Sequence, residues 1–285
     1  MKPVFGADIT EDKNNEQMLA DRFVGATVSD TCASELDRLS EKTEEVLESA
    51  KAPLFLRILG WLSGAGALLC LLLFTTGFEE LGIKGVFARF SYIFVLFLIL
   101  LGAWILLKTV AAKHVEKHLS TPESKNVIAS ADNAILNAYH ELGVPEGARE
   151  VDVIIFNYKM KNGAPVLKTE LLTGACPNVS LKIYAYDGVL FLATSRERYE
   201  FKISDIRSIQ TVNKRVVLTD WNKDEEHNEG EYKKYRIRVD DNGNYSVKPY
   251  HYLAMVVDGE ELGIYFPSYD LPIFEELTGL RATEE

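Results

Sequence analysis

Two histidines have a spacing that could support metal chemistry. His114 and His118 lie four residues apart, which would put both imidazoles on one face of a helix and could bind a metal. The glutamate between them, Glu116, stands at the wrong position for a helical zinc protease motif, and no third ligand is evident. We therefore expect no metal site here and interpret both histidines as part of a polar membrane boundary.

A second candidate is a group of basic residues that are close together in the sequence. They could form a patch for an anionic ligand or an acidic partner, or they could be the solvated face of a strand. The acidic character of the surrounding sequence favours the solvated face, and the patch is kept as the weaker alternative. Its members are Arg196, Arg198, Lys202 and Arg207.

Motifs of the common enzyme classes do not occur in the sequence. There is no glycine-rich phosphate loop and no Gly-x-Ser-x-Gly nucleophile turn. A calcium loop around Asp240 and Asn242 would need an acidic residue where Arg238 stands. With only five histidines, a Ser-His-Asp site has few possible members. We expect no enzymatic activity, no cofactor and no metal.

Charge and cysteine content limit the possible partners and compartment. The net charge of the 285 residues is −11, which argues against nucleic acid, because phosphates need clustered lysine and arginine. The three cysteines, Cys32, Cys70 and Cys176, do not form a disulfide framework and are typical of a reducing compartment.

The most distinct structural elements in the sequence are two long apolar segments, and any site must be positioned by these and by the segments around them. Residues 58–77 and 90–107 contain no Asp, Glu, Lys, Arg or His, and helices of this length span about 30 Å, the thickness of the hydrocarbon core. The short link at residues 78–85 predicts an antiparallel transmembrane hairpin over residues 54–108, with spans at about 56–77 and 87–108. The chain would then be an integral protein of the lipid bilayer.

The distribution of lysine and arginine predicts the orientation of this hairpin. Seven basic residues flank its outer ends and two flank its link. This bias predicts a multi-pass protein of the plasma membrane with both termini in the cytoplasm. The outer residues are Arg38, Lys42, Lys51, Arg57, Lys108, Lys113 and Lys117, and the two at the link are Lys84 and Arg89.

Small side chains on the first span could form a helix-packing face. They would let another helix approach closely, either from a second subunit or from the second span of the same hairpin, and the second interpretation is favoured. The residues of this face are Gly60, Ser63, Gly64 and Ala67.

Beyond the hairpin, the pattern predicts four further segments. Residues 1–28 have no sustained period and are expected to be loosely ordered. A cytoplasmic helix is expected over residues 29–53, and juxtamembrane helices over 109–144, where Thr121-Pro122 predicts a helix start. Residues 150–281 alternate short strands with turns such as Asp187-Gly188 and Asp258-Gly259, and end in an amphipathic helix at 271–280.

This last segment resembles a known family. The stretch VLFLATSRERYEFKISDIRSI at residues 189–209 is similar to bacterial pleckstrin-homology-like (PH-like) and GRAM-type domains, and the resemblance extends over about residues 180–280. It implies a barrel of about seven antiparallel strands with a C-terminal helix. In bacterial membrane proteins such domains commonly follow one or two transmembrane helices, most of them without an assigned activity. The features that carry it are Ala193, Thr194, Ser195, Arg198, Ile203, Ser204, Asp205 and Ile206.

The sequence departs from lipid-binding members of this family. Their first strand pair carries several basic residues, whereas the corresponding turn here is Asp187-Gly188, preceded only by Lys182. The resemblance therefore implies the fold but makes phosphoinositide binding unexpected. Another small β-barrel or an α+β domain is the alternative fold.

The expected function is that of a membrane-anchored, non-enzymatic adaptor or scaffold. Its cytoplasmic PH-like domain would bind a protein or peptide at a sheet edge or in a groove beside the last helix. The alternative is an accessory subunit of a larger membrane complex, such as a transporter, recognised through the face of Gly60 and Gly64. A protein partner or a homo-oligomer is expected in either case.

Overall fold

The computed structural model of the protein describes residues 1–10, 18–169, 174–219, 234–235, 237–240 and 243–284, and the side chains of residues 77–90 and 284 are not included. Residues 221–232, whose polar sequence predicts a solvated loop between strands, therefore lie outside the described residues. The chain divides into two compact units, Met1–Ala33 with Ile135–Glu285, and Ser34–Ala134.

The helices follow the pattern of the sequence closely. The predicted cytoplasmic helix is α1 (Asp30–Ala50), and α2 (Leu54–Leu119) contains both apolar runs. Helix α3 (Pro122–Glu141) starts at the predicted proline, and α4 (Leu271–Thr278) is the predicted last helix. Proline suits the first turn of α3 because its missing N–H would have no partner there.

Helix α2 folds back on itself as an antiparallel hairpin. In a straight helix Gly64 and Trp104 would be about 60 Å apart, yet a Cβ placed on Gly64 would lie 2.9 Å from the Trp104 ring. The Phe74 and Phe94 rings are 5.3 Å apart. The backbone at 78–85, predicted as a short link between the two spans, is helical. Leu54–Thr76 and Ser91–Leu119 are long and apolar enough to cross a membrane.

Sixteen strands are described, and most lie in the segment at 150–281, for which the sequence predicts short strands and turns. Tight turns at Asp187-Gly188 and Asp258-Gly259, with φ of +48° to +80°, connect the expected hairpins. The strands are β1 Lys2–Pro3, β2 Val24–Thr27, β3 Arg149–Ile154, β4 Asn157–Lys161, β5 Ala164–Lys168, β6 Ala175–Cys176, β7 Asn178–Tyr186, β8 Val189–Ala193, β9 Glu197–Lys202, β10 Ile206–Val212, β11 Val216–Leu218, β12 Arg238–Val239, β13 Tyr245–Val247, β14 Tyr250–Val257, β15 Glu260–Pro267 and β16 Ala282–Glu284.

Ten of these strands form the main sheet. Its order is β16-β10-β14-β15-β3-β7-β8-β9-β2, and β1 also pairs with β15. Strands β15 and β3 join through the pair Tyr265 and Ile154. The strands on both sides of this junction contribute to one core, which includes Leu190, Ile209 and the α4 residue Phe274. Within the described residues the sheet is not closed into a barrel, so the predicted barrel closure is not confirmed.

The N-terminal segment differs from the prediction of loose order at residues 1–28. Strand β1 pairs with β15 and β2 pairs with β9. Val4, Phe5 and Ala20 are buried in the main core. These apolar side chains are too widely spaced to produce a periodic pattern, and burial in the sheet unit supplies the order that local sequence does not.

Candidate functional site

The outer edge of β10 carries a short extended segment of the same chain. On one side β10 pairs antiparallel with β14. On the other it pairs in parallel with β16, with Ile209 opposite Ala282 and Thr211 opposite Glu284. A three-residue strand therefore occupies an edge that could otherwise pair with another chain.

Helix α4 directs this segment onto the β10 edge. The helix ends at Gly279, whose φ of +74° turns the chain and whose N–H donates to the Glu275 carbonyl oxygen at 2.9 Å. The Glu275 carboxylate accepts the backbone N–H of Ala282 at 2.9 Å and the Arg281 guanidinium at 2.8 Å. The Ala282 bond is the main cause of the lowered pKa of Glu275. Arg281 is largely exposed, so its ion pair contributes little.

Buried side chains hold the strand β10 and the helix α4 in place. Ile206 and Ile209 of β10 are buried in the main core. Phe274 of α4 is fully buried, and its ring stacks on Phe266 with 3.9 Å between centroids. Burying a phenylalanine side chain contributes about 1.5–3 kcal/mol, so β10 and α4 are stable parts of the fold.

His251 lies on β14, opposite Thr211 of β10. It is only 3% exposed, its ring stacks on Phe266, and its Nδ1 is 3.3 Å from the Thr211 hydroxyl. Burial lowers the pKa of His251 to about 4, although the nearby Glu275 carboxylate acts in the opposite direction. The imidazole is therefore neutral at physiological pH.

The unfolding free energy should fall as the pH is lowered from about 6.5 to about 4. In this range the unfolded state binds a proton at His251 that the folded state does not bind, so up to about 3 kcal/mol of stability is lost. Chemical unfolding at pH 7.5 and pH 4.5 would measure this loss, and His251→Gln should reduce it. His140→Gln is the matched control because His140 is exposed. Equal pH dependence in all three proteins would contradict the expectation.

The basic residues kept as the weaker candidate for a patch do not form one cluster. Lys202 pairs with Val189 at one end of β9, and Arg196 lies in the turn beyond the other end. Lys202 and Arg196 are therefore separated by about 20 Å along the strand. Arg207 is exposed on β10. The structure therefore places only Arg207 on the strand of the candidate site.

Arg198, the fourth member, contacts the chain that leaves α3. Its guanidinium donates to the Leu142 carbonyl oxygen at 2.6 Å and to Glu200 at 2.8 Å, and it lies 5.1 Å from the centroid of the Phe191 ring. A cation near the last carbonyls of a helix is stabilising. These contacts assign Arg198 a structural role.

The small-residue face of the first span packs within the hairpin. Gly64 lies against Trp104, Gly60 approaches the Cβ of Leu107, and Ala67 is buried. Ser63 on the same face is half-buried. This agrees with the interpretation that the face receives the second span of the same chain.

A buried polar cluster lies in the interior of the sheet unit. Asp152 accepts hydrogen bonds from the hydroxyl groups of Ser180, Tyr269 and Tyr245, and its own backbone N–H donates to Asp270 at 2.7 Å. Burial, and next the charge of Asp152, raise the pKa of both tyrosines well above the usual value. Both phenols therefore remain donors, as a structural cluster requires.

Comparisons of the chain with protein-family models, curated proteins and solved structures found no match. The candidate site therefore depends on the geometry alone. Sequence reasoning expected a sheet edge or a groove beside the last helix as the binding place, but it did not identify β10, β16 or the role of Glu275. Only Gly279, a helix-stop signal, marked the place where the chain turns toward the β10 edge.

Proposed function

We propose that the protein is a membrane-anchored, non-enzymatic adaptor whose cytoplasmic domain has a PH-like fold and binds an extended peptide along β10. Four strands in the order β3-β7-β8-β9, three in the order β10-β14-β15 and the helix α4 support the PH-like assignment. The additional strands are then insertions and terminal extensions of that plan.

The observation that carries this proposal is the pairing of β16 with β10. The chain's own residues 282–284 form an added strand there, and this pairing supports the proposal that the edge can take an extended segment. Strand addition of this kind is a common form of peptide recognition, in which main-chain bonds supply affinity and side-chain pockets supply specificity. A partner peptide would replace β16 on the same edge.

A peptide exchange experiment tests the proposal. The probe is a fluorescent peptide with the sequence of residues 279–285, added to detergent-solubilised protein that lacks residues 280–285. We expect binding at least about tenfold tighter than to the complete chain, in which the tethered segment competes at a high effective concentration. Fluorescence anisotropy measures both affinities.

Two control peptides make the experiment specific. A scrambled peptide and one with the Thr283→Pro change should bind poorly, because proline cannot donate a backbone hydrogen bond. Equal binding of all three peptides would indicate non-specific association. Absence of binding by the shortened but folded protein at millimolar peptide would refute strand addition at this edge.

The cytoplasmic position of the domain has its own test. A cysteine at Glu79, near the turn of the hairpin, should react with an impermeant maleimide in intact cells. A cysteine at Tyr186, which is 75% exposed, should react only after lysis, and the parental protein gives the background of its own thiols. The reverse pattern would place the domain outside the cell and exclude cytoplasmic partners.

A further inference from the structure

A groove runs along one face of the transmembrane hairpin. Its apolar part has a volume of about 590 Å³ and is lined by Leu68 and Leu71 of the first span and by Phe97 and Leu101 of the second. Trp61 and Trp104 also line it. Side chains of this kind are suited to hydrocarbon, so the groove can accept an alkyl chain within the bilayer.

The groove continues into a second cavity with basic side chains. This cavity has a volume of about 390 Å³, shares Trp61 and Trp104 with the apolar part, and is also lined by Arg57 and Lys108. Arg57 lies one helical turn before Trp61, and Lys108 lies one turn after Trp104. The Lys108 ammonium is 5.6 Å from the centroid of the Trp104 ring. Two cations thus stand at the end of an otherwise apolar groove.

This order of side chains matches the chemistry of one class of ligand. Tryptophan is enriched at the level of lipid headgroups, and lysine and arginine near helix ends extend toward the interface. A molecule that fills both cavities has a long apolar chain and an anionic group. A helix from another protein would not gain from two cations at this place, and a zwitterionic lipid would gain less.

We propose that the groove binds an anionic phospholipid of the cytoplasmic leaflet. One acyl chain lies between Leu68 and Phe97, and the headgroup phosphate contacts Arg57 and Lys108. The predicted orientation places these cations on the cytoplasmic side, where anionic lipids concentrate in many membranes. This site is separate from the β10 edge and does not depend on peptide binding.

Tryptophan quenching by brominated lipids tests this site in the full chain. Trp221 is changed to phenylalanine so that Trp61 and Trp104 supply the fluorescence. The protein is reconstituted in phosphatidylcholine vesicles that contain increasing fractions of phosphatidylglycerol or phosphatidylcholine with brominated acyl chains. We expect brominated phosphatidylglycerol to reach half-maximal quenching at a lower mole fraction, by about fivefold for each cation.

The variant Arg57→Gln/Lys108→Gln should remove this preference and make the two lipids quench alike. Lys113→Gln/Lys117→Gln is the matched control, since it removes the same charge farther along α2 and should leave the preference intact. The single variant Lys108→Gln should lose part of it, which guards against a folding defect in the double variant. Equal quenching by both lipids in the parental protein would overturn the proposal. A preference that survives the Arg57 and Lys108 changes would also overturn it. A lack of quenching by fully brominated bilayers would do the same, and this result is expected if a second copy of the chain fills the groove.

Discussion

Asp152→Ala should lower the free energy of unfolding by about 3–5 kcal/mol, because it removes the acceptor at the centre of a buried network. Asp152 is only 1% exposed. The Ser180 hydroxyl donates to one carboxylate oxygen at 2.5 Å, and the Tyr269 hydroxyl donates to the other. Without the carboxylate the buried Tyr269 hydroxyl and the half-buried Ser180 hydroxyl lose an acceptor, and each unsatisfied buried group costs about 1–3 kcal/mol.

Denaturant unfolding of the full chain in detergent measures this effect, and Asp152→Asn is the matched control. Asparagine keeps the shape and one acceptor oxygen, so its loss should be about half as large. Tyr269→Phe, combined with Asp152→Ala in a double-mutant cycle, should reveal coupling above about 0.5 kcal/mol. If Asp152→Ala changed stability by less than 1 kcal/mol, the cluster would not contribute to stability in the way proposed.

Elements with a strong local signal were predictable from the sequence. Asp187-Gly188 joins β7 and β8 through two residues with positive φ, which is the conformation that this dipeptide favours in tight hairpins. The two uncharged runs are antiparallel helical segments, long and apolar enough to cross a membrane, because their length and the short link between them leave few alternatives. In each case the information lies within a few neighbouring residues.

Strand β10, the core of the candidate site, has no regular strand pattern in the sequence. Its register against β14 shifts between Ile206 and Ser208, which places an extra residue, Arg207, in the strand. Because of this bulge Ile206 and Ile209 are both buried although they are three residues apart. A regular strand would place them on opposite faces, so the expected alternation is absent from the sequence.

The components of the candidate site lie far apart in the sequence. β16 is only three residues long, and no periodic pattern can develop over that length. Its position depends on the Glu275 carboxylate, which accepts the Ala282 N–H seven residues later. The basic residues that are close in sequence become separated because a strand extends about 3.3 Å per residue. Proximity along the chain was therefore a poor guide to proximity in this fold.

The N-terminal segment provides a further prediction with a large effect, the destabilisation of the sheet unit by Gly6→Ala. Gly6 has a φ of +155°, and a Cβ there would lie 1.9 Å from the Phe156 carbonyl oxygen. That backbone cannot move freely, because the Phe156 N–H donates to the Phe5 carbonyl and the Tyr158 N–H donates to the Ala7 carbonyl. The segment would have to leave the sheet unit instead.

We expect Gly6→Ala to cost about 3–5 kcal/mol, since displacement of the segment exposes Val4 and Phe5, which are 0% and 4% exposed in the fold. Gly147→Ala is the control for an added methyl group, because a Cβ there has open space. Gly163→Ala, with φ of +79° and open space, is the control for backbone strain and should cost about 1–2 kcal/mol. Denaturant unfolding gives the three values, and limited proteolysis should cut the Gly6→Ala protein within its first residues. If Gly6→Ala were no more costly than Gly163→Ala, the N-terminal segment would be dispensable to the fold, and its two strands would be an accessory to the sheet.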